Sequence, residues 1–284
     1  MIPIGVFSLG TDRNVDFARV AKRAEELGFS SFWLPEHPIL PVHTTTKYQA
    51  SPDGSVPELF GHMVDPFITL ARASGMTTTI KLGTGICLVP ERNPLLLAKE
   101  IATLDRLSGG RFLFGIGAGW LTEEIAIMGG DPVHPWAQTR ESILAMKELW
   151  TKAEAEYHGK YYDFPLVRSF PKPLQHPHPP VLLGGGAKSV FKRIVAWGDG
   201  WIPTLMPLED IKRGRETLNE LAQQAGRDPQ SISVFAFGQK GQYRTRAEID
   251  ELERAGINHA TIWLAAEGEG MLTELKELAG LVLG

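Results

Sequence analysis

Four short stretches of the chain carry residue types suited to chemistry. Val181-Leu182-Leu183-Gly184-Gly185-Gly186-Ala187-Lys188-Ser189 leads an apolar strand into three glycines and a helix start. Glycine lets backbone approach an anion closely, and free N–H groups with the helix dipole favour phosphate there. A merely tight turn needs fewer glycines, so Gly184, Gly185, Gly186 and Ala187 are read as a phosphate site. Gly115-Ile116-Gly117-Ala118-Gly119-Trp120 also ends a strand. It half-matches a dinucleotide fingerprint, but Trp120 and Leu121 stand where a third small residue is required, so a flat ring lying against backbone is the better reading. Lys81–Val89 holds two glycines inside a buried strand, serving a bulge, an approaching ligand or a simple barrel bend. Trp33-Leu34-Pro35-Glu36-His37-Pro38 offers an imidazole that exchanges protons near neutral pH, with Glu36 to orient it or to bind a polar ring edge. A structural histidine in a loop is the alternative.

The elements that must position these stretches follow from periodicity. Strand-like runs occupy Ile4–Leu9, Ser31–Leu34, Lys81–Val89, Arg111–Ile116, Val181–Leu183, Trp201–Thr204, Ile232–Phe237 and Ala260–Leu264. Helical spacing fills the intervals: Phe17, Val20, Ala21, Ala24 and Leu27 before a capping Gly28, then Leu97, Ile101 and Leu104 behind Asn93-Pro94. Eight alternations with strands apolar on both faces predict a single α/β domain over residues 1–284, a (β/α)8 TIM barrel. An open doubly wound sheet is the alternative. Strand starts near 31 and 81, and near 111 and 181, are too far apart for one helix and its loops. The excess predicts insertions after strands 2 and 4: a lid over 39–62, and a segment at 151–180 with an aromatic hairpin turning at Gly159.

Composition removes other classes. With 29 Lys+Arg against 33 Asp+Glu and no dense basic run, nucleic acid is excluded as a partner. No window approaches the roughly 20 apolar residues of a membrane span, and the N-terminus has no signal-peptide pattern. The lone Cys87 fits a reducing compartment, so a cytoplasmic location is expected. No metal-binding spacing occurs: His176 and His178 sit between prolines in a connector.

Together, Gly28-Phe29 to His37, Leu82 to Ile86, Leu104 to Arg111, Gly115 to Trp120, Tyr157 to Phe164 and Pro179 to Trp201 resemble the bacterial luciferase-like flavin monooxygenase superfamily. Within it they are most similar to the actinobacterial branch of deazaflavin (coenzyme F-420)-dependent oxidoreductases. The resemblance implies a barrel with a flavin-type cofactor at its C-terminal mouth and a homodimer. It implies a non-prolyl cis peptide at Gly85–Ile86 supporting the central ring, with Thr84 beside it. It places Gly117, Ala118 and Gly119 along the ring, phosphate on Gly184 to Ala187, and His37 beside the ring with Glu36 as its acidic neighbour. Sugar-phosphate enzymes of the family carry a catalytic Glu where this chain has Trp120, so an apolar or aromatic substrate wall is expected there.

The expected activity is hydride transfer between F-420 and a small organic substrate, with His37 as acid/base. The alternatives are an FMN-dependent monooxygenase using dioxygen, and a flavin-binding barrel without turnover. A non-redox barrel enzyme ranks behind them, because the sequence shows no metal site and no carboxylate pair at the strand ends.

Overall fold

Runs of four to six apolar residues flanked by turn formers pair into one sheet in the computed structural model, which describes residues 1–186, 188–204 and 206–284. The strands are β1 (Ile4–Phe7), β2 (Ser31–Leu34), β3 (Lys81–Thr84), β4 (Cys87–Leu88) and β5 (Phe112–Gly117). A separate hairpin follows, β6 (Ala155–His158) and β7 (Asp163–Val167), and then β8 (Val181–Gly184), β9 (Gly200–Ile202), β10 (Ser233–Phe237) and β11 (His259–Trp263). Parallel pairing runs β3-β2-β1-β11-β10-β9-β8-β5, and β3 also pairs with β5, which closes the barrel. The sheet is therefore closed, as expected, and the doubly wound alternative falls.

Helices α1 (Phe17–Leu27), α2 (Pro66–Ser74), α3 (Pro94–Leu107), α4 (Thr122–Ile127) and α5 (Pro135–Thr151) wrap the first half. The second half carries α6 (Lys188–Trp197), α7 (Leu208–Gln224), α8 (Arg246–Arg254) and α9 (Gly270–Val282). Their ends are fixed locally. Asn93 accepts hydrogen bonds from the N–H of Leu95 and Leu96, and Gly28 closes α1 at φ 96°. Helix α2 has no counterpart among the helical spacings found in the sequence; Pro66–Ser74 is 9 residues, about two and a half turns, directly behind the insertion. Among the described residues no helix is long and apolar enough to cross a membrane.

The third run differs from its reading as one strand. It divides into β3 and β4 around Gly85–Ile86, whose peptide is cis as the resemblance implies. Gly83 has a plain packing reason: a Cβ there would lie 2.1 Å from Trp33 Cε3. The Trp33 indole fills the barrel interior with Phe7, Leu113, Leu182, Phe235 and Phe237, and its Nε1 donates to Ser31 Oγ at 2.8 Å. Burying roughly 200 Å² of indole contributes on the order of 5 kcal/mol, so the glycine that admits it is a core residue.

Candidate active site at the barrel mouth

A cavity of about 440 Å³ opens at the C-terminal strand ends, within the range of small-ligand sites. Phe7, Phe237 and Trp263 line it together with Gly85, Ile86, Gly117, Ala118, Gly119 and Gly184 and with the aromatic group Tyr48, Phe60 and Trp120. No Lys or Arg among the described residues lines it.

His37 leaves the end of β2 and meets a partner that the sequence did not suggest. Its Nδ1 donates to Glu124 Oε2 at 2.6 Å, and the side chains are 8% and 1% exposed. Phe60 stacks on the imidazole at 4.9 Å and 9°, and Trp120 meets it edge-on at 5.8 Å. The ring is thus held by a hydrogen bond in its plane and a phenyl on its face. With Nδ1–H given to a carboxylate, Nε2 is the atom left to exchange a proton.

Glu36 does not orient His37. Its carboxylate accepts the Leu88 N–H at 2.7 Å and pairs with Arg92, whose Nη2 lies 2.5 Å from Oε2, so it ties β2 to β4 and to the start of α3. Arg92 also reaches Asp65 at 2.7 Å. Glu36 still lines the cavity, but as half of a neutralised pair.

The other expected positions sort by geometry. Thr84 does not line the cavity, because the residue is fully buried and its hydroxyl donates to the Gly115 carbonyl at 2.7 Å. Gly117 and Gly119 do line it, but protein occupies the space each lacks. A Cβ on Gly117 would lie 2.1 Å from Ile86 Cδ1, and one on Gly119 would meet Ile125 Cδ1 at 2.9 Å and Glu91 Oε1 at 3.2 Å. Gly184 and Gly185 line the cavity and Gly186 does not. Gly185 gives its N–H to Ile202 and its carbonyl to Trp201 Nε1, leaving Gly186 and the first turn of α6 as the donors at the rim. Ala187 lies outside the described residues. Trp120 lines the cavity.

Three carboxyls cluster at this side of the cavity, one at the end of β2, one on a short helical turn and one on α4. Glu36 and Glu124 are joined by Glu91, which is 3% exposed and ends a short helical turn, Val89–Glu91. Burial, then the charges of Glu124 and Glu36, push the Glu91 carboxyl up to about 9 against the pull of Arg92. The sequence did carry faint signals. Glu124 lies four residues beyond Trp120, and Glu91 interrupts an apolar run ahead of a capped helix. Neither stands directly after the glycines, where the resemblance places an acid. Among the described residues no cluster of metal-ligating side chains occurs.

The insertion after β2 closes over this centre. Thr45 N–H, Thr45 Oγ1 and Thr46 N–H all donate to Glu123 Oε1, at 2.5, 2.7 and 3.0 Å. Tyr48 packs on Trp120 at 5.2 Å and on Phe60 at 5.3 Å. Adjacent glutamates of α4 thus fasten the insertion and the imidazole.

A family model described as luciferase-like monooxygenase matches residues 6–279. An uncharacterized protein of Mycobacterium tuberculosis is 38% identical over 234 residues, 81% of this chain and 82% of its own. An F420-dependent glucose-6-phosphate dehydrogenase of Amycolatopsis mediterranei is 29% identical, over 75% of this chain and 62% of its own. The oxygenase component of a flavin-dependent trigonelline monooxygenase of Acinetobacter baylyi is 31% identical, over 60% of this chain and 42% of its own. Among solved structures, the coenzyme F420-dependent tetrahydromethanopterin reductase of Methanopyrus kandleri superimposes with a TM-score of 0.78 at 18% identity, covering 99% of this chain and 98% of that one.

Proposed function

The chain belongs to the luciferase-like monooxygenase family, and from that premise we propose that it is an oxidoreductase moving a hydride between the deazaflavin coenzyme F-420 and a small, uncharged organic substrate. The observation that carries the reading is the His37–Glu124 pair at the wall of a largely apolar cavity at the barrel mouth. It combines a proton-exchanging group with surfaces that suit a flat ring.

The residues fit such a cofactor. The Gly117–Gly119 and Gly85–Ile86 wall offers a flat apolar face, and Gly186 with the start of α6 offers donors for a phosphate at the rim. When bound, the deazaflavin supplies or accepts the hydride. The protein's part is placement and proton exchange. Where the substrate carbon bears oxygen, reduction to the alcohol needs one proton on that oxygen, and His37 Nε2 is the group to give it; oxidation returns it. Glu124 holds the tautomer that allows this, and Tyr48, Phe60 and Trp120 keep water from the reacting atoms.

That no Lys or Arg among the described residues lines the cavity supports an uncharged substrate class. A phosphate or carboxylate entering this cavity would lose its hydration beside Glu36 and Glu124 without gaining a cation, so a neutral substrate is favoured. The sugar-phosphate chemistry named for the Amycolatopsis relative is not proposed for this chain.

Fluorescence titration with oxidised F-420 and with FMN tests the assignment. Saturable binding of F-420, followed by its oxidation or reduction with neutral carbonyls or alcohols, is expected. Preferential FMN binding with oxygen uptake by the reduced complex would move the chain to the monooxygenase reading that the Acinetobacter relative favours. Binding without any turnover, unchanged in His37→Ala, would leave only a carrier.

A further inference from the structure

Glu91 is a buried acid that the hydride-transfer reading does not use. Neither of its carboxylate oxygens has a hydrogen-bond partner among the described residues. Glu36 is matched by Arg92 and Glu124 by the imidazole N–H, which leaves Glu91 as the odd carboxyl of the three. It is not remote from the cavity. Its Oε1 lies 3.2 Å from where a Cβ on Gly119 would stand, and Gly119 is a lining residue, so one glycine's thickness of backbone separates this acid from the site.

We infer that Glu91 is a positioning residue that acts through Glu124: held as a neutral acid behind Gly119, it keeps the His37 cluster at one unshared carboxylate rather than two. The physical reason is mutual repulsion. Two carboxylates in a space that water does not reach cannot both ionise cheaply, and the one without a donor keeps its proton. Burial and the charges of Glu124 and Glu36 hold Glu91 protonated up to about pH 9, and Arg92 opposes them. The buried Cys87 thiol of β4, itself pushed well up by burial, adds no charge. Helix α5 packs on the same turn and buries Gln138, Thr139 and Ser142, none of which ionises. Of its charged residues Arg140 is exposed, and Glu141, Lys147 and Glu148 are bonded elsewhere, to Tyr161, Trp197 and Lys152. While Glu91 is neutral, the carboxylate of Glu124 is the one that meets the imidazole. Once Glu91 ionises, the second negative charge makes the imidazole hold its proton more tightly and release it less readily to a substrate.

The test needs neither cofactor nor substrate, so it can fail independently of the hydride-transfer reading on which the role in turnover rests. His37 ring resonances, assigned by their loss in His37→Asn, are followed by ¹H–¹⁵N spectroscopy from about pH 5 to about pH 10. In the wild type they should show a second inflection near pH 9, absent from Glu91→Gln. Difference infrared spectra between about pH 7 and about pH 10 should show a carboxylic-acid carbonyl band that vanishes on the alkaline side and is missing in Glu91→Gln. An inflection that survives the substitution, or a wild type with no such band, overturns the inference. If Glu91→Gln does not fold, Glu91→Asp with its displaced acid band decides in its place.

Discussion

The two ends of the barrel treat buried charge in opposite ways. At the N-terminal floor, the buried Asp105 and the half-buried Arg111 and Glu25 tie down loops through backbone groups. Arg111 donates to the carbonyls of Ser74, Thr77, Ile80 and Ser108 and to Thr77 Oγ1. Asp105 accepts from the N–H of Leu174 and Gln175 and from the Gln175 amide. Burial pushes the Glu25 carboxyl up, but the N–H groups of Thr79, Ile80 and Thr78 outweigh it and hold the acid at about 2. At the mouth, neither carboxylate oxygen of Glu91 has a hydrogen-bond partner among the described residues, and His37 lines the cavity. Charge satisfied by backbone builds the fold, whereas charge held against unsatisfied polar atoms is available for chemistry. The same residue types do both, so composition cannot tell the ends apart.

Substitutions at each end should separate the two roles. The largest effect is expected for His37→Gln, which should lower turnover by roughly 10²–10⁴-fold with little change in the melting temperature, checked by steady-state rates and thermal unfolding. Glu124→Gln should cost less, roughly tenfold to a hundredfold, because the imidazole remains but its tautomer and orientation are no longer set. A comparable melting-temperature loss in either variant would break the contrast. At the floor, Arg111→Met should behave the other way: roughly 2–4 kcal/mol lost in urea unfolding, with turnover per folded molecule unchanged.

The smallest expected effect is a pH dependence at the floor. His259 stacks on Phe235 at 3.9 Å, and burial, aided by Lys81, holds its imidazole at about 4. The unfolded chain binds that proton at the ordinary 6.5, so the contribution of a neutral His259 is full above 6.5 and fades as pH falls toward 4. Urea unfolding compared at about pH 5 and about pH 7.5 should show this loss, and His259→Phe should flatten it.

Much of the frame was legible because it is written in local signals. Short apolar runs and period-3.6 spacing gave seven of the eight barrel strands within a residue or two, the third run dividing into β3 and β4, and Asn93-Pro94 and Gly28 gave helix ends, since capping is decided within a few positions of the chain. His37, Trp120 and the glycine-rich strand ends stood out by type and place. What escaped was pairing across distance. Glu124 is 87 residues from His37, and Arg92 is 56 from the Glu36 it neutralises. Nothing at either position names the other.

The amino-acid sequence by itself determined that strands and helices alternate, that the surplus chain follows strands 2 and 4, and that an imidazole and glycine-rich turns stand at strand ends, because hydrophobic period and turn chemistry act over a few residues. Only the tertiary structure decided which acid holds His37, which is neutralised by Arg92 and which is left without a partner. It also decided that Gly83, Gly117 and Gly119 make room for Trp33, Ile86 and the Glu91 carboxyl. These outcomes depend on distances set by barrel closure, and the energy of a buried charge is fixed by what closure brings within a few ångströms of it.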